Sequence, residues 1–168
     1  MLDNLLELSA EEESYSFDIK PNDLLSTLNE VILGAIHLFS AKKIKLDFQI
    51  PDFPLKLSFD AKKIARVFIN LFDNAIKYSP ENSEVFVSFS KNENEVMVHI
   101  SDQGICIPED ELESIFEKFT MSSRTDLGAG GTGLGLSVCK DIIEKHSGRI
   151  WAENNRDQGS TFFFTLPW

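Results

Sequence analysis

The chain has 168 residues, of which 42% are hydrophobic and 14 are phenylalanine, so its length and composition are those of one domain with a well-filled core. The formal net charge of −11 argues against a nucleic-acid partner, because proteins that bind the phosphate backbone are normally basic. If this acidic chain binds a polyanionic ligand, it must offer local cations, backbone N–H groups or a metal ion.

Cysteine spacing and the amino-terminal residues indicate the compartment. The two cysteines, Cys106 and Cys139, form neither a CxxC knuckle nor a disulfide framework, which favours a reducing, cytoplasmic setting. The start, MLDNLLELSAEEESYS, lacks the basic region and the long apolar run of a signal peptide. We find no apolar stretch of about 18 residues and expect no membrane contact by this chain, although a longer parent protein could be membrane-anchored.

The amino-terminal residues predict a boundary between two segments. Residues 1–13 contain a short helical stripe, LDNLLELS, followed by acidic residues. We expect them to be the end of a longer helix and a linker, with a single domain over residues 14–168. The alternating run SYSFDIK predicts the first strand of that domain.

Two long helices follow, separated by strands. The run at 21–23, PND, opens a helix that continues to about Ala41. Alternation in IKLDFQI and in LKLSF predicts two strands. Asp60 caps a second helix over about 61–79, which the next proline ends.

In the second half of the chain, the sequence pattern predicts two strand pairs and a third main helix between them. EVFVSFS and EVMVHIS flank the polar turn KNENE and predict a hairpin, and GRIWAEN and STFFFTLP predict a closing strand pair. Between them lie a short helix from Pro108 to Phe116, a Gly-rich loop over 120–132 that we expect to be mobile, and a helix from Gly133 to about Lys145. Because hairpins outnumber βαβ units, the expected fold is a two-layer α/β sandwich, with one mixed, mostly antiparallel sheet packed on three helices.

The second helix carries a polar face. Asn70, Asn74 and Lys77 are spaced i, i+4 and i+7 and therefore share one side of the helix. An amide oxygen can ligate a hard cation such as Mg²⁺, and an ammonium group can neutralise phosphate charge. A solvated helix face gives the same spacing, so the pattern alone leaves both readings open.

The segment SDQGICIP follows a strand directly. Asp102 at the strand end can place an acceptor-only carboxylate at the mouth of a pocket, and Gly104 lets the backbone turn closely. Such a carboxylate suits a ligand amino group, for example that of adenine. An ordinary Asx turn would also fit this segment.

The segment GAGGTGLGLS precedes the third helix. Gly131, Gly133 and Gly135 alternate, and free N–H groups at a helix start can bind phosphate. The segment lacks the Lys-Ser/Thr of a Walker motif and the βαβ context of a Rossmann fingerprint. By itself it is also compatible with a flexible loop and a helix cap.

The histidines are poor catalytic candidates. His37 lies in a helix, His99 in a strand and His146 at a helix end, and no pair has metal-ligand spacing. His146 precedes Ser-Gly and is typical of a carboxyl-terminal helix cap. The two cysteines lack an activating partner in the sequence and are expected to act as small hydrophobic residues.

Taken together and in order, NLFDNAIKYS, DQGICIP, FEKF and GTGLGLS resemble the N, G1, F and G2 boxes of the sensor histidine kinase ATP-binding domain. The closing EKHSGRIWAENNRDQGSTFFFTLP is similar to the end of that domain, so the resemblance covers about Ser14 to the last residue. The family belongs to the GHKL group. The resemblance implies the Bergerat α/β sandwich with a mobile ATP lid, which agrees with the two-layer expectation.

The resemblance also implies roles for individual residues. Asn74 would ligate Mg²⁺, Asn70 would support that site and Lys77 would contact phosphate, and these three are the expected catalytic residues. Asp102 would accept a hydrogen bond from adenine, while Tyr78 would pack against the nucleotide. Further expected contacts to the nucleotide or lid positions are Gly104, Ile107, Gly131, Thr132, Gly133, Leu134, Gly135 and Leu136. Phe116 and Phe119 would anchor the lid, and Lys118 and Arg124 would be lid cations for the γ-phosphate.

Asn70 bears on the type of reaction. ATP-hydrolysing members of the GHKL group have glutamate here as a general base, and an amide cannot take a proton. The resemblance therefore implies transfer of the γ-phosphoryl group to a histidine on a separate dimerisation domain of the same kinase, with a response regulator downstream. No histidine of this chain lies in the family's phosphoacceptor pattern, so we expect the chain alone to bind Mg-ATP without autophosphorylating.

Cys106 departs from the family pattern, since it replaces the second glycine of the G1 box. If that position needs a positive φ, cysteine would be disfavoured by about 1–2 kcal/mol. A degenerate nucleotide-binding scaffold is therefore kept as an alternative to the kinase. A GHKL ATPase and a serine kinase of the anti-sigma type are weaker alternatives, disfavoured by Asn70 and by the closing segment respectively.

Overall fold

The computed structural model of the chain describes residues 16–124 and 132–168. This part contains three α-helices, namely α1 (Leu24–Ala41), α2 (Ala61–Tyr78) and α3 (Gly135–Lys145). The strands are β1 (Lys20–Asp23), β2 (Lys45–Phe48), β3 (Lys56–Phe59), β4 (Glu84–Lys91), β5 (Glu95–Ser101), β6 (Ile150–Asn154) and β7 (Ser160–Pro167). Two 3₁₀ turns, Glu109–Glu111 and Ser114–Phe116, lie between β5 and α3.

The main sheet has five strands in the order β2-β4-β5-β7-β6. Strands β2 and β4 are parallel and the other three neighbouring pairs are antiparallel, which confirms the mixed, mostly antiparallel sheet. The expectation of one sheet is wrong for the described residues, because β1 and β3 form a separate antiparallel ribbon. Both hairpins, β4–β5 and β6–β7, are as predicted.

One face of the main sheet is buried under the helices. Along β5, Val96, Val98 and Ile100 are buried in the core, whereas the alternate residues Met97 and His99 are half-buried on the opposite face. Alternation of this kind is expected of an antiparallel sheet with one covered face. The helices supply the second layer, since the buried apolar residues of α1, α2 and α3 belong to the same core cluster. The two-layer α/β sandwich is therefore confirmed.

Aspartate side chains begin the first two helices, as predicted. The Asp23 carboxylate accepts a hydrogen bond of 3.0 Å from the backbone N–H of Ser26, and Asp60 accepts one of 3.1 Å from that of Lys63. Each satisfies a backbone donor that the first helical turn leaves unpaired. The starts of α1 and α2 are thus determined by local sequence.

Three element boundaries differ from the predictions. The strand predicted at SYSFDIK begins only at Lys20, because pairing with β3 starts at the Lys20–Phe59 register. The short helix predicted from Pro108 is replaced by the two 3₁₀ turns. Helix α3 begins two residues after Gly133, whose φ of +67° is left-handed and incompatible with an α-helical start.

Helix α1 corrects an expectation about apolar length. Its 18 residues are long and apolar enough to cross a membrane by length and composition, contrary to the sequence-based search for such a stretch. In the structure α1 packs against α2, and Leu24, Leu28 and Phe39 are completely buried in the core.

His146 joins the end of α3 to the start of α2. It is 5% exposed; the Asp60 N–H donates to its Nε2 at 3.0 Å, and its Nδ1 donates to the Ile142 carbonyl at 2.7 Å. Both ring nitrogens are therefore used within the fold. The structural role predicted for this histidine as a helix cap is confirmed.

Candidate nucleotide-binding site

A cavity of about 290 Å³ opens between α2, the loop after β5 and the start of α3. This volume is close to the lower end of the range for small-molecule sites, roughly 300–1,000 Å³. Ten of the residues predicted from the sequence line it: Asn70, Asn74, Lys77, Tyr78, Asp102, Ile107, Thr132, Gly133, Gly135 and Leu136. The fold thus brings together segments that are far apart in the chain.

The polar face of α2 forms one wall. Asn70, Asn74 and Lys77 all line the cavity, so this face is not simply solvated. The Asn70 amide Nδ2 donates a hydrogen bond of 3.1 Å to the Gly135 carbonyl at the start of α3. Asp73, at i+3 from Asn70, also lines the cavity, and its partial burial raises the pKa of its carboxyl group.

The last turn of α2 is held from outside the cavity. The Lys42 ammonium group donates hydrogen bonds to the carbonyl oxygens of Ile76 and Lys77, which lack helical partners at this end. The Lys77 ammonium group lies 4.8 Å from the centre of the Tyr78 ring. Because this distance allows a cation–π contact, the lysine stem and the aromatic ring are oriented together at the cavity wall.

Asp102 provides a buried carboxylate at the end of β5. It is 6% exposed, and its Oδ1 accepts hydrogen bonds from the backbone N–H groups of Gly104 at 2.7 Å and Ser160 at 3.3 Å. Burial raises the pKa of the Asp102 carboxyl group, while these two hydrogen bonds act to lower it. A carboxylate held in this way can accept hydrogen bonds from a ligand amino group in the cavity.

Gly104 does not line the cavity; it packs the loop against the end of α2. A Cβ at this position would lie 2.8 Å from Asp102 Oδ1 and 2.9 Å from the Tyr78 carbonyl oxygen. The close approach predicted here is therefore made by the protein itself. It lets the backbone N–H of Gly104 reach the Asp102 carboxylate.

Cys106 lines the cavity without backbone strain. Among the described non-glycine residues, the positive φ values are at Lys43, Asn82, Phe119 and Ser147, so Cys106 is not in a conformation that favours glycine. Its Sγ donates a long hydrogen bond of 3.6 Å to the Gly159 carbonyl. The strain considered for a cysteine in the G1 box is therefore absent.

Ile107 belongs to the apolar part of the wall. The Asn154 side chain holds this residue in place, accepting from its N–H at 2.9 Å and donating to its carbonyl at 2.7 Å. Ile105, Ile115 and Phe162 add further apolar surface. Apolar walls around a buried carboxylate are suited to a flat base with an exocyclic amino group.

The two ends of the predicted lid meet at a hydrogen bond. The Phe119 N–H donates to the Gly133 carbonyl at 3.0 Å, and a Cβ at Gly133 would lie 2.9 Å from the Phe119 carbonyl carbon. Phe116 is buried in the core, whereas Phe119 is 74% exposed. Of the predicted lid residues, Gly131 lies outside the described residues.

The predicted lid cations are not in the cavity wall. Lys118 is exposed, and Arg124 donates from Nη1 to the Cys106 carbonyl at 3.2 Å. Leu134 likewise does not line the cavity and precedes α3 as its cap residue. The described residues therefore place one predicted cation, Lys77, at the cavity.

Several residues of the cavity wall are not indicated as nucleotide contacts by the sequence patterns. These are Asp73, Ile105, Cys106, Ile115, Thr120, Met121, Ser122, Ser160 and Phe162. Helical spacing could have found Asp73, which follows Asn70 by three positions. Ser160 and Phe162 reach the site because β7 pairs with β5, and this pairing leaves no local signal.

The side chains at the cavity offer few ligands for a metal ion. No cluster of three or more His, Cys, Asp or Glu suited to a metal occurs in residues 16–124 and 132–168. Mg²⁺ at this site would therefore depend on few protein ligands, such as the Asn74 amide oxygen, together with ligand phosphates and water. Few protein ligands are usual for Mg²⁺ bound with a nucleotide, so the residues present fit such an ion.

The fold and this cavity define a nucleotide-binding α/β sandwich, and comparisons with known proteins agree. The profile of the family described as "Histidine kinase-, DNA gyrase B-, and HSP90-like ATPase" matches residues 59–168. The chain is 33% identical over 172 residues to sensor histidine kinase WalK of Bacillus subtilis (strain 168), an alignment that covers 100% of this chain and 28% of WalK.

Solved structures give the same result. The catalytic domain of histidine kinase ThkA is 32% identical with a TM-score of 0.79, covering 89% of this chain and 97% of that domain. ThkA in complex with response regulator protein TrrA is 30% identical with a TM-score of 0.80, covering 99% of this chain and 48% of the matched chain. The chain therefore belongs to the histidine kinase-, DNA gyrase B- and HSP90-like ATPase family, as a sensor histidine kinase catalytic domain. It spans less than a third of WalK and about half of that ThkA chain.

Proposed function

We propose that the cavity binds Mg-ATP and that the chain donates the γ-phosphoryl group to a histidine on a separate dimerisation domain. A response regulator would receive the group from that histidine. The observation that carries this proposal is the meeting of the amide–lysine face of α2 with the buried Asp102 carboxylate in one cavity. ThkA, which is similar to this chain, occurs in complex with a response regulator, and this supports the downstream partner.

Recognition of the base rests on Asp102. Its carboxylate is oriented by backbone N–H groups on Oδ1 and lies among apolar residues of the cavity wall. A buried acceptor favours a ligand that brings a donor, because an unpaired carboxylate loses its hydration without compensation. The exocyclic amino group of adenine is such a donor, whereas guanine would place a carbonyl oxygen at the corresponding position.

Binding of the phosphates rests on the other end of the site. Lys77 supplies a positive charge, and the Asn74 amide can ligate the metal. Gly133 and Gly135 line the cavity with backbone atoms alone. Bound Mg²⁺ would neutralise phosphate charge and orient the γ-phosphoryl group. Because the chain is acidic overall, these local groups must offset a general repulsion of the nucleotide.

Transfer is favoured over hydrolysis by Asn70. The bond from the γ-phosphorus to the bridging oxygen breaks, ADP leaves, and a new bond forms to a ring nitrogen of the acceptor histidine. Asn70 has no basic group with which to activate water, and its Nδ2 is engaged with Gly135. None of His37, His99 and His146 lines the cavity, so the acceptor is expected to come from another domain. Since ATP is the donor, the proposal places this reaction in the cytoplasm, whether or not a longer protein is anchored in a membrane.

The test is calorimetric titration of the chain with a non-hydrolysable ATP analogue, with and without Mg²⁺. Binding should require Mg²⁺ and should weaken about tenfold or more in Asn74→Ala, equivalent to about 1.4 kcal/mol. Asn29→Ala is the matched control, since Asn29 is an exposed helical asparagine outside the cavity. Absence of binding at millimolar nucleotide would contradict the kinase function and favour the scaffold. If binding is found, mixing with a separately prepared acceptor domain tests phosphoryl transfer.

A further inference from the structure

The loop from Asp102 to Ile107 lines the cavity but belongs to no helix or strand. Its backbone N–H and C=O groups therefore lack the partners that a helix or a sheet supplies. They need other partners, because an unpaired polar backbone group in a buried place is unfavourable. At both ends of the loop, side-chain amides supply them, from Asn154 at the end of β6 and from Asn155 directly after it.

Asn154 holds the far end of the loop through one peptide residue. Its Oδ1 accepts from the Ile107 N–H at 2.9 Å, and its Nδ2 donates to the Ile107 carbonyl at 2.7 Å. An amide is suited to this pair, because a carboxylate cannot donate and an ammonium group cannot accept. The position of Ile107 in the apolar wall is thus set by a residue that does not line the cavity.

Asn155 holds the near end of the loop. Its Nδ2 donates to the Asp102 carbonyl at 2.9 Å and lies 3.2 Å from Ser101 Oγ. Its Oδ1 accepts from the Thr161 hydroxyl at 2.7 Å, so β7 orients the amide group. Asn155 therefore fixes the backbone of the residue whose carboxylate is available to the ligand.

Gly159 lets the turn after β6 approach the loop. Its φ of +84° is left-handed, and a Cβ built on it would clash with the Asp102 carbonyl oxygen. The Asn155 N–H donates to the Gly159 carbonyl at 2.9 Å, so the asparagine and the glycine belong to one closed turn. The turn is therefore shaped to bring the Asn155 amide onto Asp102.

We propose that Asn154 and Asn155 are positioning residues of the nucleotide site, which hold Ile107 and Asp102 where they contact the base. Neither asparagine lines the cavity, so each acts through the residue that it holds. This role rests on the proposed function, because that function assigns Asp102 to the base. A small displacement of a hydrogen-bonding group weakens its contact with a ligand, so loss of either amide should lower affinity for the base and spare the phosphate contacts of α2.

Amide hydrogen exchange of the nucleotide-free chain, followed by NMR, tests whether the asparagines hold the loop. The Gly104 N–H donates to the Asp102 carboxylate, so Asn155→Ala should speed its exchange about tenfold or more. Asn154→Ala should do the same at Ile107. The acceleration should exceed that at Val98 in the middle of β5, because loss of global stability would speed exchange at both places alike.

Asn92→Ala is the matched control for both variants. The Asn92 Oδ1 likewise accepts from backbone N–H groups, those of Asn94 and Glu95, in the turn between β4 and β5. Asn92 does not line the cavity and does not contact the loop from Asp102 to Ile107 through these bonds. Exchange in that loop should therefore be unchanged in this variant.

Calorimetry with Mg²⁺ and non-hydrolysable analogues of ATP and GTP tests the effect on the base. Because the analogues share the triphosphate, Asn155→Ala should weaken the ATP analogue about tenfold and change the GTP analogue by no more than about twofold. Asn155→Asp keeps the acceptor for Thr161 but cannot donate to the Asp102 carbonyl, so it should show the same loss of discrimination. Repulsion of phosphate by the new carboxylate would weaken both analogues alike.

The outcomes separate this proposal from the proposed function. If the unchanged chain binds the ATP analogue but the variants lose affinity for both analogues equally, the positioning role is overturned and the function stands. Equal acceleration of exchange at Gly104 and Val98 also overturns the role, since the asparagines would then only stabilise the fold. Absence of ATP binding by the unchanged chain contradicts the proposed function, and the positioning role fails with it.

Discussion

The side chain of Asn70 donates a hydrogen bond of 3.1 Å to the carbonyl oxygen of Gly135, across 65 positions of sequence. This bond joins the helix that carries the amides and lysine to the helix that follows the glycine-rich segment. Movement of either helix would change the width of the cavity between them. Asn70, which we propose favours transfer over hydrolysis, is thus also a structural link between the two helices.

Replacement of Asn70 by alanine should therefore affect both stability and binding. Loss of one hydrogen bond to a partly buried partner is expected to lower the free energy of unfolding by about 1 kcal/mol. Urea unfolding with and without Mg-nucleotide measures both effects. Asn29→Ala, on an exposed surface, should change stability by no more than about 0.5 kcal/mol. Equal stability of the two variants would show that the Asn70–Gly135 bond contributes nothing measurable.

Asp102 should make stability depend on pH. Its usual pKa is 3.8, and burial raises the pKa in the folded state. Between pH 3.8 and the pKa of the folded state, the unfolded chain has released this proton while the folded chain still holds it. The free energy of unfolding therefore falls across this range and stays lower at higher pH. Asp102→Asn removes this pH-dependent loss. The free energy of unfolding of the variant, relative to that of the unchanged chain, should therefore be higher at about pH 7 than at about pH 4.

The same variant should bind nucleotide poorly. The amide that Asp102→Asn introduces can keep the hydrogen bond from Gly104 through its oxygen, but its NH₂ group then faces the donor of the ligand. We expect an affinity loss of roughly tenfold or more at neutral pH. Urea unfolding at the two pH values and calorimetry at neutral pH check the two effects. A stability difference that is the same at both pH values would contradict the role assigned to burial of the carboxylate.

Replacing Gly104 or Gly34 by alanine should change the free energy of unfolding in opposite directions. At Gly104 the new Cβ would lie within 3.0 Å of Asp102 and Tyr78 atoms, and relieving the clash should lower the free energy of unfolding by about 1–3 kcal/mol. At Gly34 nothing lies within 4 Å, and alanine should raise helix stability by about 0.5–1 kcal/mol. Thermal unfolding of both variants at one low protein concentration provides the comparison. A neutral Gly104→Ala would mean that the loop moves freely away from α2.

His146 should matter for folding and not for nucleotide affinity. His146→Ala leaves the Asp60 N–H and the Ile142 carbonyl without their side-chain partner in a buried place. We expect the free energy of unfolding to fall by about 2–4 kcal/mol. His37→Ala on the exposed face of α1 should be nearly neutral. Weaker nucleotide binding by folded His146→Ala would contradict a purely structural role.

The two thiols should differ in reactivity. Cys139 is completely buried, and burial raises the pKa of its thiol to about 12. Cys106 is partly exposed and lines the cavity. A maleimide should therefore modify Cys106 in the folded chain and Cys139 only on unfolding, and Mg-nucleotide should slow the first reaction. Mass spectrometry of the modified peptides identifies the sites; modification of Cys106 at the same rate with bound nucleotide would place the ligand elsewhere.

Local sequence determined most of the secondary structure. Asp23 and Asp60 begin their helices through their own side chains, and alternation along β5 marks the buried face of the sheet. These signals act within a few residues, so they can be read without knowledge of the fold. The polar spacing of Asn70, Asn74 and Lys77, together with the order of the four motifs along the chain, indicated the family and ten of the nineteen described residues of the cavity wall.

Tertiary structure alone decided the rest of the site. Ser160 and Phe162 enter the cavity wall because β7 pairs with β5, and Gly104 packs against the end of α2 instead of lining the cavity. The absence of strain at Cys106 likewise depends on the path of its loop. Such features arise from contacts between residues distant in sequence, and no local pattern of hydrophobicity or spacing records those contacts.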